Sequence, residues 1–144
     1  MRTRVAGIIP LENGFAFMHR VGVQNHPIGD YYTFPGGGQE ENETLEDGTK
    51  REIKEELGID VEVIKLLYQL EDKENQKDEY FFLCKYIGGE FGTGDGPEFS
   101  GDPRYAYRGK YIPEIIQRED IEKIQLLPRE VKDKLVKDIK NGKI

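Results

Sequence analysis

The spacing of apolar and polar residues changes along this chain, and the change separates predicted strands from predicted helices. Five segments rich in apolar or β-branched residues predict strands, and these are residues 5–11, 15–20, 31–34, 61–70 and 79–87. A further strand is predicted within residues 105–117. Asn13-Gly14 separates the first two segments, and this dipeptide is a strong hairpin-turn signal.

Residues 44–57 predict a helix, because one face of this segment repeats every four residues. That face holds Thr49, Ile53 and Leu57. Gly58 is a residue type that commonly ends a helix. Gly48 stands inside the helix, where it costs about 1 kcal/mol relative to alanine. We therefore expect close packing at Gly48.

The second half of the chain adds shorter signals of both kinds. Residues 119–124 predict a short helix, and residues 128–140 predict a longer one with Val131, Leu135 and Ile139 on its apolar face. Residues 88–104 carry six glycines and two prolines, so they predict a long irregular loop of the kind that often has a function. No segment resembles a linker, and one α/β domain over residues 1–144 is predicted.

The overall charge narrows the classes of partner. The chain has 144 residues and a formal net charge of −7, which argues against non-specific binding to nucleic acid. A small phosphorylated substrate stays compatible, because a bound metal ion can invert the local field. Cys84 is the only cysteine, and it lies in an apolar segment that predicts a core position. With a single cysteine no internal disulfide is possible, which predicts a cytoplasmic location. The sequence shows no signal peptide and no membrane-spanning segment.

The predicted helix of residues 44–57 carries three carboxylates within about one turn. Glu52, Glu55 and Glu56 lie at helical neighbour positions, where like charges repel unless a cation lies among them. Hard divalent cations such as Mg²⁺ prefer oxygen ligands of this kind. The glycines at residues 36–38 precede the helix, and they permit close approach of the backbone to a ligand such as a phosphate group.

The spacing around these acids is more specific than their chemistry alone. Residues 37–59 follow the order G-x5-E-x7-R-E-aliphatic-x-E-E-x-G-aliphatic. This segment resembles the signature box of the Nudix hydrolases at every defining position, and Phe34-Pro35-Gly36 extends the likeness upstream. The resemblance implies an α/β/α sandwich built on a mixed β-sheet. It also implies hydrolysis of a nucleoside diphosphate linked to another group X.

The resemblance assigns parts to individual residues. Glu52, Glu55 and Glu56 resemble the ligands of Mg²⁺ or Mn²⁺, with the carbonyl of Gly37, or of Gly36 beside it, as an additional ligand. Glu43 and Arg51 resemble an ion pair that braces the loop against the helix, and we expect Arg51 to point away from the acidic face.

A glutamate is expected to accept a proton from the attacking water. Glu55 or Glu56 is the first candidate for this base. Glu98, in the glycine-rich loop, is the second candidate, and Glu79 at the start of a strand is the third. A loop acid such as Glu98 is equally compatible with simple solvation.

Most candidates for substrate binding precede the box of residues 37–59, and one lies inside it. Arg20 is placed to grip a phosphate, although an ordinary surface ion pair is equally compatible with the sequence. Tyr32 and Phe34 are suited to stacking on a base, and equally to filling the core or a dimer interface. Gly36 and Gly38 offer backbone groups to a ligand. His19 and His26 have no partner at metal-ligand spacing and predict ordinary surface positions.

The identity of X is approached by elimination. Some related subfamilies carry a marker proline or tyrosine after the box. Here those positions fall in Glu74-Asn75-Gln76, so neither marker is present. A further subfamily marker contains a tryptophan, and this chain has none. A MutT-like member acting on a nucleoside triphosphate or a related nucleotide is what remains. Two alternatives stay open, namely a nucleotide-sensing Nudix domain without turnover and an enzyme acting on RNA 5′ ends. The family likeness also leaves a homodimer open.

Overall fold

The computed structural model describes residues 2–96 and 101–144, and these fall into two compact units. The first unit comprises Met1–Pro10 and Pro35–Ser100, and the second comprises Leu11–Phe34 and Gly101–Ile144. Each unit contains one sheet and one long helix. The predicted α/β class is confirmed, whereas the prediction of a single domain stays a prediction.

The strands and α-helices are named in chain order. They are β1 (Arg2–Ile8), β2 (Pro10–Leu11), β3 (Gly14–Val21), β4 (Tyr31–Thr33), β5 (Gly36–Gly38), α1 (Leu45–Leu57), β6 (Ile59–Asp72), β7 (Lys77–Gly89), β8 (Lys110–Gln117), β9 (Leu126–Leu127) and α2 (Arg129–Lys140). Two 3₁₀ helices, Pro103–Arg108 and Arg118–Lys123, flank β8. No helix in the described ranges is long and apolar enough to cross a membrane.

The sheet of the first unit has the strand order β5-β1-β7-β6. β1 pairs parallel with β7, and the other two pairings are antiparallel, so the sheet is mixed as predicted. Helix α1 packs on one face of this sheet. At Gly7 in β1, an added Cβ would lie 2.5 Å from Cδ1 of Ile53, so the glycine admits the helix side chain.

Helix α1 begins and ends at the residues that the sequence indicates. Thr44 is the N-cap, and its hydroxyl accepts a hydrogen bond from the backbone N–H of Asp47 at 3.0 Å. Gly58 closes the helix with a φ of 79°, a left-handed conformation that favours glycine. The predicted apolar face is confirmed, because Thr49, Ile53 and Leu57 are each fully buried.

The sheet of the second unit is organised around β3. Strands β4 and β8 pair antiparallel with β3, and β9 pairs parallel with β4. Its buried residues come from β3, from the 3₁₀ helix Arg118–Lys123, from β9 and from α2. They include Phe15, Met18, Ile121, Leu126, Val131 and Leu135. The four-residue repeat in the last helix therefore marks a buried face, as the sequence predicts for Val131 and Leu135.

Several boundaries differ from the sequence predictions. The first predicted strand is divided into β1 and β2, and the short helix predicted at residues 119–124 is a 3₁₀ helix. The glycines of residues 36–38 form strand β5 and do not feed directly into the N-terminus of α1. Only glycine fits at Gly36, because an added Cβ would lie 2.1 Å from the carbonyl oxygen of Val5. A strand made of glycines has no apolar pattern that a sequence reading can detect.

The single cysteine lies in the core, as its apolar neighbours predict. Cys84 is 1% exposed, and its thiol contacts the carbonyl oxygen of Phe82. Burial raises the pKa of this thiol to about 12. Such a thiol is protonated at neutral pH, which fits a packing residue.

Candidate active site

The three acids on α1 differ in their access to solvent. The side chains of Glu52 and Glu55 are 14% and 33% exposed, and Glu56 as a residue is 7% exposed. Burying carboxylates in this way is costly unless they have hydrogen-bonding or charged partners. The structure supplies such partners from β5 and from Arg51.

Strand β5 contacts two of the acids through its backbone. At Gly37, an added Cβ would lie 2.5 Å from the carboxyl carbon of Glu52, so the absence of a side chain makes room for this carboxylate. The backbone N–H of Gly36 donates a hydrogen bond of 2.6 Å to Oε1 of Glu56. The glycines therefore bring backbone against the acidic helix.

Glu43 and Arg51 form a two-point ion pair. The Nε and Nη2 atoms of Arg51 donate to the two carboxylate oxygens of Glu43 at 2.7 and 3.0 Å. These hydrogen bonds are the main reason that the pKa of Glu43 lies below its ordinary value and that the pKa of Arg51 is raised. The pair joins the loop before α1 to the middle of the helix.

Two further contacts fix this loop. The Nη2 atom of Arg51 also donates to the carbonyl oxygen of Gly38 at 2.9 Å. Inside the helix, an added Cβ at Gly48 would lie 2.8 Å from Oε1 of Glu43. The close packing expected at Gly48 is confirmed, and the group that comes close is the carboxylate of the ion pair.

The expectation that Arg51 points away from the acidic face is wrong. Its Nη1 atom contacts Glu52 at 3.0 Å and Glu55 at 3.4 Å, so one guanidinium group serves both the bracing carboxylate and the acidic face. The long arginine side chain reaches around the helix, which residue spacing alone does not reveal. Among the described residues, no three His, Cys, Asp or Glu side chains converge closely enough to bind one metal ion.

A loop after β7 covers the carboxyl end of α1. The backbone N–H of Gly92 donates to the carbonyl of Leu57, and that of Gly96 donates to the carbonyl of Glu55 at 2.9 Å. At Gly94, an added Cβ would lie 2.4 Å from the same Glu55 carbonyl. The glycines of this loop therefore permit its contact with the helix end. Glu98, the second candidate base, lies outside the described residues.

Glu79, the third candidate base, lies in β7. It is opposite Arg4 of β1 and Leu70 of β6. Val5 and Gly7 face α1, because their positions contact the helix, and residues opposite Arg4 lie on the other face of the sheet. Glu79 therefore lies on the sheet face opposite the acidic helix.

Arg20 in the second unit has an unusual environment. Its guanidinium carbon lies 3.7 Å from the ring centroid of Tyr111, and its Nη2 donates to the carbonyl oxygen of Arg108 at 2.7 Å. Its Nε is buried without a hydrogen-bond partner among the described residues. The surface ion pair considered from the sequence is not what holds this side chain.

Tyr32 belongs to a second polar cluster in the same unit. Its hydroxyl donates to Oε1 of Glu114 at 3.3 Å, and its ring stacks on His19 with centroids 4.0 Å apart. The Nδ1 atom of His19 contacts the other oxygen of Glu114. Burial, followed by the charge of Glu114, raises the pKa of Tyr32. Sequence reasoning missed this cluster, because its members come from three strands.

The strand register assigns these candidates to opposite faces. Arg20 is opposite Tyr31 and Tyr111, whereas His19 is opposite Tyr32. Consecutive strand residues point to opposite faces, so Arg20 and Tyr32 do not share one. Phe34 is 4% exposed and packs edge-to-face on Phe17 with centroids 5.4 Å apart, which favours its core role over base stacking.

These features define an α/β protein with an acidic helix, a glycine edge strand and an arginine brace between them. The NUDIX domain model matches residues 1–132, and the chain belongs to this family. Its strands and helices resemble those of a NUDIX hydrolase from Nitrosomonas europaea, with a TM-score of 0.73 and 22% identity over 96% of this chain and 70% of that one.

Two relatives are more similar in sequence over shorter stretches. An ADP-ribose pyrophosphatase from Methanocaldococcus jannaschii is 36% identical over 95 residues, which are 63% of this chain. An 8-oxo-dGTP diphosphatase from Proteus vulgaris is 40% identical over 62 residues, which are 43% of this chain. In each case the match spans 54% of the relative's own length.

Proposed function

We propose that this chain is a metal-dependent pyrophosphohydrolase that cleaves a nucleoside diphosphate linked to X, with water attacking phosphorus. The observation that carries the proposal is the intact set of Glu52, Glu55 and Glu56 held against the glycine strand β5 in a chain of the Nudix family. Three carboxylates at helical neighbour positions repel one another unless a cation lies among them, which supports a metal-binding site here.

The donor atoms fit a hard divalent cation. Carboxylate oxygens of Glu52, Glu55 and Glu56, with the carbonyl oxygen of Gly37, are the ligand types that Mg²⁺ or Mn²⁺ takes. Arg51 supports the fit, because a positive group already contacts Glu52 and Glu55. Because no three acidic side chains of the described residues converge in this structure, binding of one ion requires some of these side chains to move. When bound, the ion would polarise phosphoryl oxygens and lower the pKa of a water molecule.

Among the acids on the helix, Glu55 is better suited than Glu56 to accept a proton from water. Glu56 is almost fully buried, and one of its oxygens already accepts the N–H of Gly36. Glu55 is more exposed, and its contact with Arg51 is the longer one at 3.4 Å. We keep Glu56 as an alternative base, and Glu98 as a base contributed by the glycine-rich loop.

Substrate recognition is proposed for Arg20 and Tyr32 as separate contacts. The unsatisfied Nε of Arg20 suits an additional acceptor such as a phosphate oxygen. The ring of Tyr32 suits stacking on the nucleobase of the substrate. Gly36 and Gly38 are proposed to offer backbone to the substrate. The N–H of Gly36 is committed to Glu56, which leaves Gly38 as the better candidate. Phe34 is buried against Phe17 and is no longer proposed to bind the substrate.

A nucleoside triphosphate or a related nucleotide is the proposed substrate. The two named relatives differ in X, since an 8-oxo-dGTP diphosphatase acts on a triphosphate and an ADP-ribose pyrophosphatase acts on a sugar-linked diphosphate. The absence of the proline and tyrosine markers after the box supports the first type. A homodimer, a cytoplasmic location and the lack of non-specific nucleic acid binding stay predictions from the sequence.

A panel of nucleotides with Mg²⁺ or Mn²⁺ tests the proposal. The panel contains nucleoside triphosphates, ADP-ribose and a capped RNA end, and the readout is release of phosphate, pyrophosphate or nucleoside monophosphate. Hydrolysis of a triphosphate that is lost with chelator or in Glu56→Gln supports the proposal. The alternative of a nucleotide-sensing domain is favoured if no compound is cleaved and Glu56→Gln changes ligand affinity alone.

A further inference from the structure

A pocket lined by basic residues lies at the start of β1 in the first unit. It has a volume of about 560 Å³ and is open to solvent. Its cationic residues are Arg2, Arg4 and Lys77, and the segment of residues 38–41 lines it beside them. The function proposed above leaves these three cations unused.

Strand register places the three cations side by side. Arg2 and Arg4 are two positions apart in β1, so they lie on the same face of the sheet. Lys77 of the neighbouring parallel strand β7 is directly opposite Arg2. Like charges in adjacent positions are destabilising, so this arrangement costs stability unless an anion offsets it.

The protein neutralises this cluster only in part. Asp72 of β6 is directly opposite Lys77, and the pKa of Asp72 is lowered mainly by its hydrogen bonds with Asn75 and to a smaller extent by the charge of Lys77. None of the three side chains forms a hydrogen bond or an ion pair with any described residue, although the chain carries 28 acids and 21 basic residues. Glu79 is opposite Arg4 in β7 but does not pair with it. Glu40 and Glu41 also line the pocket, but Glu40 lies 3.5 Å from Arg51 and Glu41 is exposed to solvent. Positive charge is therefore available to a ligand in an otherwise acidic chain.

The same edge strand connects this cluster to the acidic helix. Arg4 is opposite Gly38 in β5, while the preceding residue, Gly37, is opposite Val5 and contacts Glu52. An added Cβ at Gly38 would meet nothing within 4 Å, so the space beside Arg4 is open. Arg4 and Gly38 lie on the sheet face opposite α1, so a ligand would contact both the cations and the acidic helix only by passing around the edge strand β5.

We propose that Arg2, Arg4 and Lys77 form a binding site for the phosphate groups of an oligophosphate. Three cations with free donors match several phosphate oxyanions, and the arginines can bind them in a two-point manner. If the bound oligophosphate is part of the substrate, the inference rests on the proposed function. A free oligophosphate that binds without being cleaved has the same chemistry.

Binding of inorganic tripolyphosphate to the metal-free chain, followed by isothermal titration calorimetry, tests the site directly. The purification tag is removed from the N-terminal side, because Arg2 is close to that end. We expect the double substitution Arg2→Gln with Arg4→Gln to raise the dissociation constant about tenfold or more, and Lys77→Gln to raise it by a smaller factor. Higher salt should weaken binding to the unsubstituted chain.

Lys85→Gln is the matched control, because Lys85 is an exposed cation on the same strand as Lys77 and does not line the pocket. It should leave the dissociation constant unchanged. Circular dichroism melts identify any variant that fails to fold, and Arg4→Lys then retains the charge with less disturbance. Equal binding by all variants, or an equal loss in Lys85→Gln, overturns the proposed site.

Kinetics distinguish the two sources of phosphate. If the substrate supplies it, the double substitution raises KM for the hydrolysed nucleotide with little change in kcat, and tripolyphosphate inhibits competitively. If a free oligophosphate is bound, KM stays constant and inhibition is not competitive. Tripolyphosphate binding that depends on Arg2 and Arg4 in a chain that hydrolyses no nucleotide supports the site and contradicts the proposed function. Nucleotide hydrolysis by a chain whose tripolyphosphate binding does not depend on Arg2 and Arg4 supports the proposed function and contradicts the site.

Discussion

The acidic cluster of the first unit and the contacts of Arg20 and of the His19–Tyr32–Glu114 cluster in the second unit are assembled over very different distances in sequence. Around α1, the hydrogen bonds of Arg51 and Glu56 join residues 20 positions apart or fewer. In the second unit, Arg20 reaches Arg108 across 88 positions, and His19 reaches Glu114 across 95. Contacts within one loop and helix follow from residue spacing, whereas contacts between strands follow from register.

The two clusters also differ in how charge is balanced. Around α1, one guanidinium group contacts Glu43, Glu52 and Glu55, so acids outnumber the cation. In the second unit, Arg20 lies over the ring of Tyr111, and Glu114 contacts Nδ1 of His19 and accepts a hydrogen bond from the hydroxyl of Tyr32. The first arrangement suits an additional cation and the second suits a ligand with an aromatic or anionic part. The predictions below test this division.

The largest effect is expected for Glu56→Gln. We expect kcat to fall at least about a hundredfold, because a charged ligand or base is lost. The amide oxygen of glutamine can still accept the N–H of Gly36, so the fold should persist. The measurement is hydrolysis of the best nucleotide of the panel. Glu46→Gln, an exposed acid on the same helix, should retain activity, and equal losses in both variants would contradict the assignment.

Gly37→Ala should weaken metal binding with little loss of stability. The added Cβ would meet the carboxylate of Glu52, which is the end of a flexible side chain and can shift, but only away from its present position. We expect the dissociation constant for Mn²⁺ to rise about tenfold. Calorimetric titration measures it, and thermal unfolding tests the fold. Gly38→Ala is the matched control, since its Cβ meets open space, and similar affinities for both variants would refute this placement.

Glu43→Gln should cost about 2 kcal/mol of unfolding free energy at neutral pH, because it breaks a partly buried two-point ion pair. The pKa of Glu43 is lowered by Arg51 from a reference of 4.5, so its contribution is present above that pH and is lost as pH falls through the lower folded value. The difference between variant and unsubstituted protein should therefore shrink below about pH 4.5. Urea unfolding at several pH values measures it.

A constant difference across that pH range would show that Glu43 does not act through its charge. The control for this experiment is Glu46→Gln, at an exposed position in the first turn of the same helix. Its effect should stay within about 0.5 kcal/mol, as is usual for surface substitutions. This pair of variants tests whether the brace in the first unit has the strength that its short hydrogen bonds indicate.

The features that could be predicted from the sequence are those that depend on local spacing, and the features that could not are those that depend on strand pairing or on a flexible side chain. The limits of α1, its buried face and the special glycines at 48 and 58 follow from local spacing and capping chemistry. The strand character of Gly36–Gly38 escaped detection, because it depends on pairing with β1 and on close approach to Val5. The direction of Arg51 escaped for another reason, since a long flexible side chain can reach either side of a helix.

In the second unit, sequence reasoning found single residues but not their partners. Arg20 and Tyr32 were identified as candidates, yet neither Tyr111 nor Glu114 was linked to them. Those links depend on which residue of β8 lies opposite which residue of β3, and a shift of one position would exchange the two faces. Aromatic residues in strands fit core, interface and ligand positions equally well, so the pattern alone does not select among these.

The smallest effect, and the one that tests this register, is expected for Glu114→Gln. Burial is the main reason that the pKa of Tyr32 is raised, with the charge and hydrogen bond of Glu114 adding to it. The substitution should therefore lower the pKa of Tyr32 only in part, leaving it above the ordinary value of 10.0. Carbon NMR of the tyrosine ring measures this. Glu119→Gln removes an exposed acid from the same unit and should have no effect. An unchanged Tyr32 pKa in both variants would contradict the contact between Glu114 and Tyr32, while the contact of Glu114 with His19 would stay untested.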